Sequence, residues 1–149
     1  CRLPNLRYTT FLQDELVAVV HTGSKLSLPD EITPEDLSRI PLVLRERGSG
    51  TLDVFERALS EHNMKLSSLN VLLYLGSTES IKLFLEHTDC IGIVSIRSIS
   101  RELLSGTFRV IEIKGMPMLR EFCFAQPQGQ ESGLSQVLMQ FAMHHNKKL

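Results

Sequence analysis

A chain of 149 residues, 42% apolar and 22% charged, has the make-up of a folded globular domain, which excludes disordered, collagenous and low-complexity classes. Its 16 Lys and Arg against 17 Asp and Glu leave a formal charge of -1, so the chain lacks the basic footprint that grips a phosphate backbone or an anionic lipid surface. No run approaches the roughly 18 apolar residues of a membrane span, and Cys1 to Thr10 has no signal-peptide apolar stretch, so no membrane association is expected.

The run Glu15-Leu-Val-Ala-Val-Val20 predicts a buried strand ending near Val20, where His21-Thr-Gly-Ser24 supplies turn chemistry. Thr33-Pro34-Glu35-Asp36 places an N-cap hydroxyl, a proline at the first helical position and acids in the first turn, so a brief helix is expected to reach about Arg39. Pro41 to Leu44 reads as a strand and Arg45-Glu-Arg-Gly-Ser-Gly-Thr51 as a glycine loop, after which Val54, Phe55, Ala58 and Leu59 keep to one helical face. The same order recurs in Val71 to Leu75, Gly76-Ser-Thr78, and a helix with Ile81, Phe84 and Leu85 on one side. Cys90 to Val94 is the next strand, and Ser98 to Leu104 a short helix stopped by Gly106. Thr107 to Ile113 and Glu121 to Ala125 are strand-like runs separated by Lys114 to Pro117. Leu134, Val137, Leu138, Phe141 and Ala142 give a final amphipathic helix.

Strands alternating with helices imply right-handed βαβ crossovers, hence an α/β fold with a mainly parallel sheet and helices on both faces. The first strand and last helix flank a middle section that reads as complete, so both are expected to belong to a lobe that the chain leaves and re-enters near residues 20 and 115.

The chemistry-bearing features are the two strand-to-helix turns, Gly48-Ser-Gly-Thr51 and Gly76-Ser-Thr78. At each, the first helical amides lack intrahelical partners and carry the positive end of the helix dipole, glycine lets a ligand approach, and hydroxyls add donors. Such turns bind small anions at the carboxyl ends of parallel strands; the same Ser and Thr residues also serve plain helix capping. Neither turn has the P-loop lysine and no G-x-G-x-x-G follows a strand, which excludes ATP and NAD as expected cofactors. Arg45 and Arg47, flanking Glu46, can supply a charge-assisted contact to an acid or can form a surface pair. Cys90, with His87 three residues upstream, invites a thiol nucleophile, but it opens an apolar strand where a cysteine acts as a small hydrophobe, so no enzyme is expected. The 3 cysteines, Cys1, Cys90 and Cys123, form no C-x-x-C pair, and His144-His145 are adjacent, so neither a disulfide framework nor a metal site is expected, and a reducing cytoplasm is the simplest home. Tyr74 is expected in the core or on a cleft wall.

Taken in order, Asp14 to Val20, Ile32 to Leu37, Pro41 to Thr51, Leu75 to Lys82, Ile91 to Ser95 and Glu102 to Gly106 resemble the effector-binding domain of LysR-type transcriptional regulators almost end to end. The resemblance implies a fold like a type 2 periplasmic binding protein, with two α/β lobes joined by crossover strands and a small effector between them. It places residues 1–20 in a partial first lobe, 21–113 in a near-complete second lobe, and 114–149 in the return to the first. Carried over by position, Gly48, Ser49, Gly50, Thr51, Ser77 and Thr78 face the effector, Ser95 and Ile96 close the cleft, and Arg45 follows a subgroup pattern.

The family's winged helix-turn-helix and the opening β-α-β part of the first lobe have no counterpart here, so the chain is expected to be an N-terminally truncated piece that meets DNA only through the missing head. Leu16 to Val20 and the last helix would then lack cover, which together with the family's habit of pairing leads to an expected homodimer or higher oligomer. The implied function is sensing a small anionic metabolite to control transcription; a solute-binding protein for transport is the alternative.

Overall fold

The computed structural model describes the backbone of residues 6–127 and the side chains of residues 14–120. Glu15–Leu119 forms one compact unit, and Cys1–Asp14 with Arg120–Leu149 forms the other. The elements are β1 (Leu6–His21), β2 (Glu31–Ile32), a 3-10 helix (Pro34–Arg39), β3 (Leu42–Arg45), α1 (Gly50–Glu61), a 3-10 turn (Leu66–Ser68), β4 (Val71–Leu75), α2 (Thr78–His87), β5 (Ile91–Ser95), a 3-10 turn (Ile96–Ile99), α3 (Ser100–Leu104), β6 (Phe108–Ile113) and β7 (Leu119–Pro127). The final amphipathic helix read from the sequence lies outside the described residues.

In the larger unit the sheet order is β2-β6-β1-β5-β3-β4. β3 runs parallel to β4 and β5, and β2 parallel to β6. β1 alone runs against its neighbours, pairing Ala18 with Ile93 of β5 on one side and with Ile111 of β6 on the other. The sheet is thus mostly parallel, as expected, with one reversed strand at its centre. Because side chains alternate across a strand, two cores form. Leu16, Ala18, Leu42, Leu44, Ile91 and Ile93 pack with Phe55 and Leu59 of α1 on one face. Val17, Val19, Val43 and Val94 pack with Ile81 and Leu85 of α2 on the other.

Two sequence expectations change here. The run from Leu16 to Val20, expected to lack cover, is buried throughout within the larger unit, Glu15–Leu119. A strand buried on both faces and a strand stripped of its partner show the same unbroken apolar run, so only the pairing separates them. Conversely, β4 is an edge strand with Leu72, Leu73 and Tyr74 exposed, so Tyr74 is not a core residue.

Local chemistry accounts for the connections. The Asp36 amide donates to Thr33 Oγ1 at 3.3 Å while the Thr33 amide donates to Asp36 Oδ2 at 2.9 Å, a reciprocal capping box with Pro34 inside it. The Thr33 backbone and hydroxyl hold the Asp36 carboxyl below its ordinary range, and Arg39 also binds it. This turn is a 3-10 helix rather than an α-helix, in keeping with a span of 6 residues closed off by Pro41. In the smaller unit β7 pairs with β1, and Arg120 Nη2 donates to the buried Asp14 Oδ2 at 2.9 Å.

Candidate functional site

Since β3 lies between β5 and β4 and all three run the same way, their carboxyl ends open on one edge of the sheet. The loops carrying Gly48 to Thr51, Ser77 to Thr78, and Ser95 to Ile96 therefore lie side by side, with Arg45 at the tip of β3. The sequence-derived residues are brought together rather than scattered.

The first loop is shaped by Gly48, whose φ of 91° suits glycine. The Ser49 amide then donates to the Glu46 carbonyl at 3.2 Å, and Ser49 Oγ accepts from the Leu52 amide at 3.1 Å. This cap satisfies the third amide of α1. The Gly50 and Thr51 amides have no acceptor among the described residues, as the geometry of a helix start dictates. Thr51 is only 8% exposed, yet its hydroxyl makes no hydrogen bond among the described residues.

At the second loop Ser77 Oγ accepts from the Ser80 amide at 3.1 Å and donates to Ser80 Oγ at 2.8 Å. The Thr78 and Glu79 amides stay unclaimed among the described residues. At the third, Ser95 Oγ accepts from the Arg97 amide at 3.3 Å and the Ser95 carbonyl accepts from Ser98 Oγ at 2.7 Å. The capping role of Ser49, Ser77 and Ser95 is therefore real, and it occupies one acceptor position of each hydroxyl oxygen. What remains at the first two loops is a set of main-chain donors, which suits an acidic group and not a cation. Beside them the Arg45 Nε is buried without an acceptor among the described residues. Arg47 is exposed and makes no such contribution.

Three features escaped the sequence reading. Arg97 stands half-buried at the same edge. The Glu46 carboxylate lies against Gly76, so that a Cβ built there would be 3.6 Å from Oε2. A cavity of about 500 Å³ lies beside β1 and β6, lined by Val17, Val110, Glu112, Lys114 and Met118 among others, and of the sequence-derived residues only Ile96 reaches it. This cavity arises from pairing between distant segments and has no local signature.

The Cys90 thiol is fully buried, and burial, helped by the Asp89 charge, pushes it up to about 11. Such a thiol stays protonated and is a poor nucleophile at neutral pH. The neighbouring Asp89 carboxylate is bound by the Lys25 amide at 3.0 Å and Ser24 Oγ at 3.1 Å. Among the described residues no group of His, Cys, Asp and Glu is arranged to hold a metal, and no helix is long and apolar enough to cross a membrane.

A family model described as LysR substrate binding domain matches residues 1–147. The chain is 29% identical over 144 residues to the HTH-type transcriptional activator CmpR of Synechocystis, covering 96% of this chain and 46% of that protein. It is 29% identical over 126 residues to the RuBisCO operon transcriptional regulator of Acidithiobacillus ferrooxidans, covering 85% of this chain and 40% of that one. The chain thus spans less than half the length of these curated relatives. Among solved structures, the Synechocystis CcmR regulatory domain in complex with 2-PG superposes with a TM-score of 0.75 at 25% identity, covering 97% of this chain and 69% of that one. The effector-binding domain of QuiR in complex with shikimate shares the fold, with a TM-score of 0.71 at 20% identity over 97% of this chain and 67% of that one.

Proposed function

Because the chain belongs to the LysR substrate-binding-domain family, we propose that it is the effector-sensing part of a LysR-type transcriptional regulator whose β3–β5 edge holds a small acidic metabolite. One observation carries this reading: unclaimed amides at Gly50, Thr51, Thr78 and Glu79 stand on one edge with the buried Arg45 Nε, which has no acceptor among the described residues. Donors with no acceptor at the starts of two neighbouring helices favour a ligand that brings acceptors and negative charge. In this reading the Glu15–Leu119 unit corresponds to the second lobe, and Gly48, Ser49, Gly50, Thr51, Ser77, Thr78, Ser95, Ile96 and Arg45 contribute to the effector site.

Occupancy biases the arrangement of a homodimer or higher oligomer, and DNA is met through a winged helix-turn-helix elsewhere in the full-length cytoplasmic protein. The site binds and releases, and no bond is made or broken. Ligand capture by CcmR and QuiR regulatory domains supports a small-molecule effector, and the family match favours regulation over transport.

A thermal-shift screen of metabolite acids tests this, since a ligand at a hundred times its Kd adds about 2.7 kcal/mol of stability. A hit should be weakened by Arg45→Ala and Thr51→Val. If hits bind equally well to both variants, the edge is not the effector site.

A further inference from the structure

We infer that Glu46 is a built-in counter-anion: its carboxylate lies against Gly76, just ahead of α2, and opposes the acidic group of any ligand at the β3–β5 edge, so that removing its charge tightens anion binding. This rests on the reading of that edge as the effector site. The two turns of the edge are unequal. A Cβ built on Gly48, ahead of α1, would meet nothing within 4 Å. A Cβ built on Gly76, ahead of α2, would lie 3.6 Å from Glu46 Oε2 and 3.8 Å from Oε1. The carboxylate thus rests on the main chain that leads into the unclaimed Thr78 and Glu79 amides.

Its position is fixed from both sides. The Glu46 amide donates to the Leu75 carbonyl at 2.9 Å, tying it to β4, and its carbonyl accepts from the Ser49 amide at 3.2 Å, tying it to the α1 turn. The side chain therefore departs from a point pinned between the two turns. The carboxylate itself makes no hydrogen bond among the described residues, so its charge is not consumed by a protein partner and acts on whatever enters. Arg45, its neighbour in sequence at the tip of β3, attracts an anion, and Glu46 sets the limit on that attraction. Coulomb repulsion scales with ligand charge, so Glu46 penalises a divalent anion more than a monovalent one. At roughly 6 Å under water-like screening the penalty is about threefold in Kd for one charge and roughly tenfold for two.

The test uses acetate and sulfate as probes, at constant ionic strength, with Kd from thermal shift and titration calorimetry on the 149-residue chain. Glu46→Gln should bind acetate about threefold and sulfate roughly tenfold more tightly than the parent, with an unchanged urea midpoint. Glu61→Gln, at the far end of α1, makes the same change in net charge and should leave both affinities alone. Unchanged affinity in Glu46→Gln, or an equal gain in Glu61→Gln, overturns the counter-anion while leaving the anion site standing. Absence of sulfate binding in both the parent and Glu46→Gln, or sulfate binding insensitive to Arg45→Ala, overturns the edge reading and the inference with it.

Discussion

Gly92→Ala should destabilise the chain through α2, although alanine is the gentler residue for a strand. Gly92 lies in β5, paired with Val19 on one side and Val43 on the other, where β5 is buried between its neighbours. A Cβ at this point would stand 3.0 Å from Ile81 Cγ2 and 3.1 Å from Leu85 Cδ1, tighter than ordinary contact, and both side chains are almost fully buried. Overpacking of this kind costs about 1–3 kcal/mol. The reduced freedom of the unfolded chain returns about 0.4–1 kcal/mol, so the net loss is about 1–2 kcal/mol. Leu85→Ala alone should cost about 2–5 kcal/mol by opening a cavity. In the double variant the Leu85 contacts are gone and Ile81 can shift into the vacated space, so the cost of Gly92→Ala should fall, a coupling of about 1 kcal/mol. Urea unfolding followed by far-ultraviolet circular dichroism measures all three, provided the slope stays constant. A Gly92→Ala variant as stable as the parent, or costs that simply add, would refute the claim that α2 rests directly on Gly92.

Three further outcomes follow from named contacts. Ser49→Ala removes the cap on the Leu52 amide and should cost about 1 kcal/mol, whereas Ser49→Asp keeps a capping acceptor, holds stability and abolishes sulfate binding by placing negative charge at the α1 turn; calorimetry with parallel melts separates the two. Cys90, raised from 9.0 to about 11 in the folded chain, ionises first in the unfolded state, so stability should fall as pH rises from about 9 through 11, and Cys90→Ala should flatten that limb of a pH-stability curve. Peptide mapping after alkylation at pH 8 should leave Cys90 unmodified until urea is added. Asp89, held below its ordinary 3.8 by the Lys25 amide, Ser24 hydroxyl and Lys25 charge, contributes stability that is present above 3.8 and lost as pH falls through its lower folded value. Asp89→Asn should therefore reduce acid sensitivity, read from melts taken between neutral and acid pH.

What the sequence discloses and what it withholds divide along the range of the interactions. Thr33, Pro34 and Asp36 announce a helix start because every partner in the capping box lies within three residues, and Gly48 to Thr51 and Gly76 to Thr78 announce strand-to-helix turns for the same reason. That these turns converge was inferable from parallel βαβ chirality, which forces successive strands to end on one edge. The direction of β1 was not: Leu16 to Val20 is apolar at every position, a pattern satisfied equally by a reversed strand between β5 and β6 and by one in another lobe. Val71 to Leu75 shows the converse, since an apolar run gives no sign that it will stand at an edge with Tyr74 in solvent. The same limit applies to Glu46, which in sequence is an acid between two arginines. Only the pairing of β3 with β4, through Arg45 opposite Leu75, carries its carboxylate to Gly76, beside a turn thirty residues away in the chain.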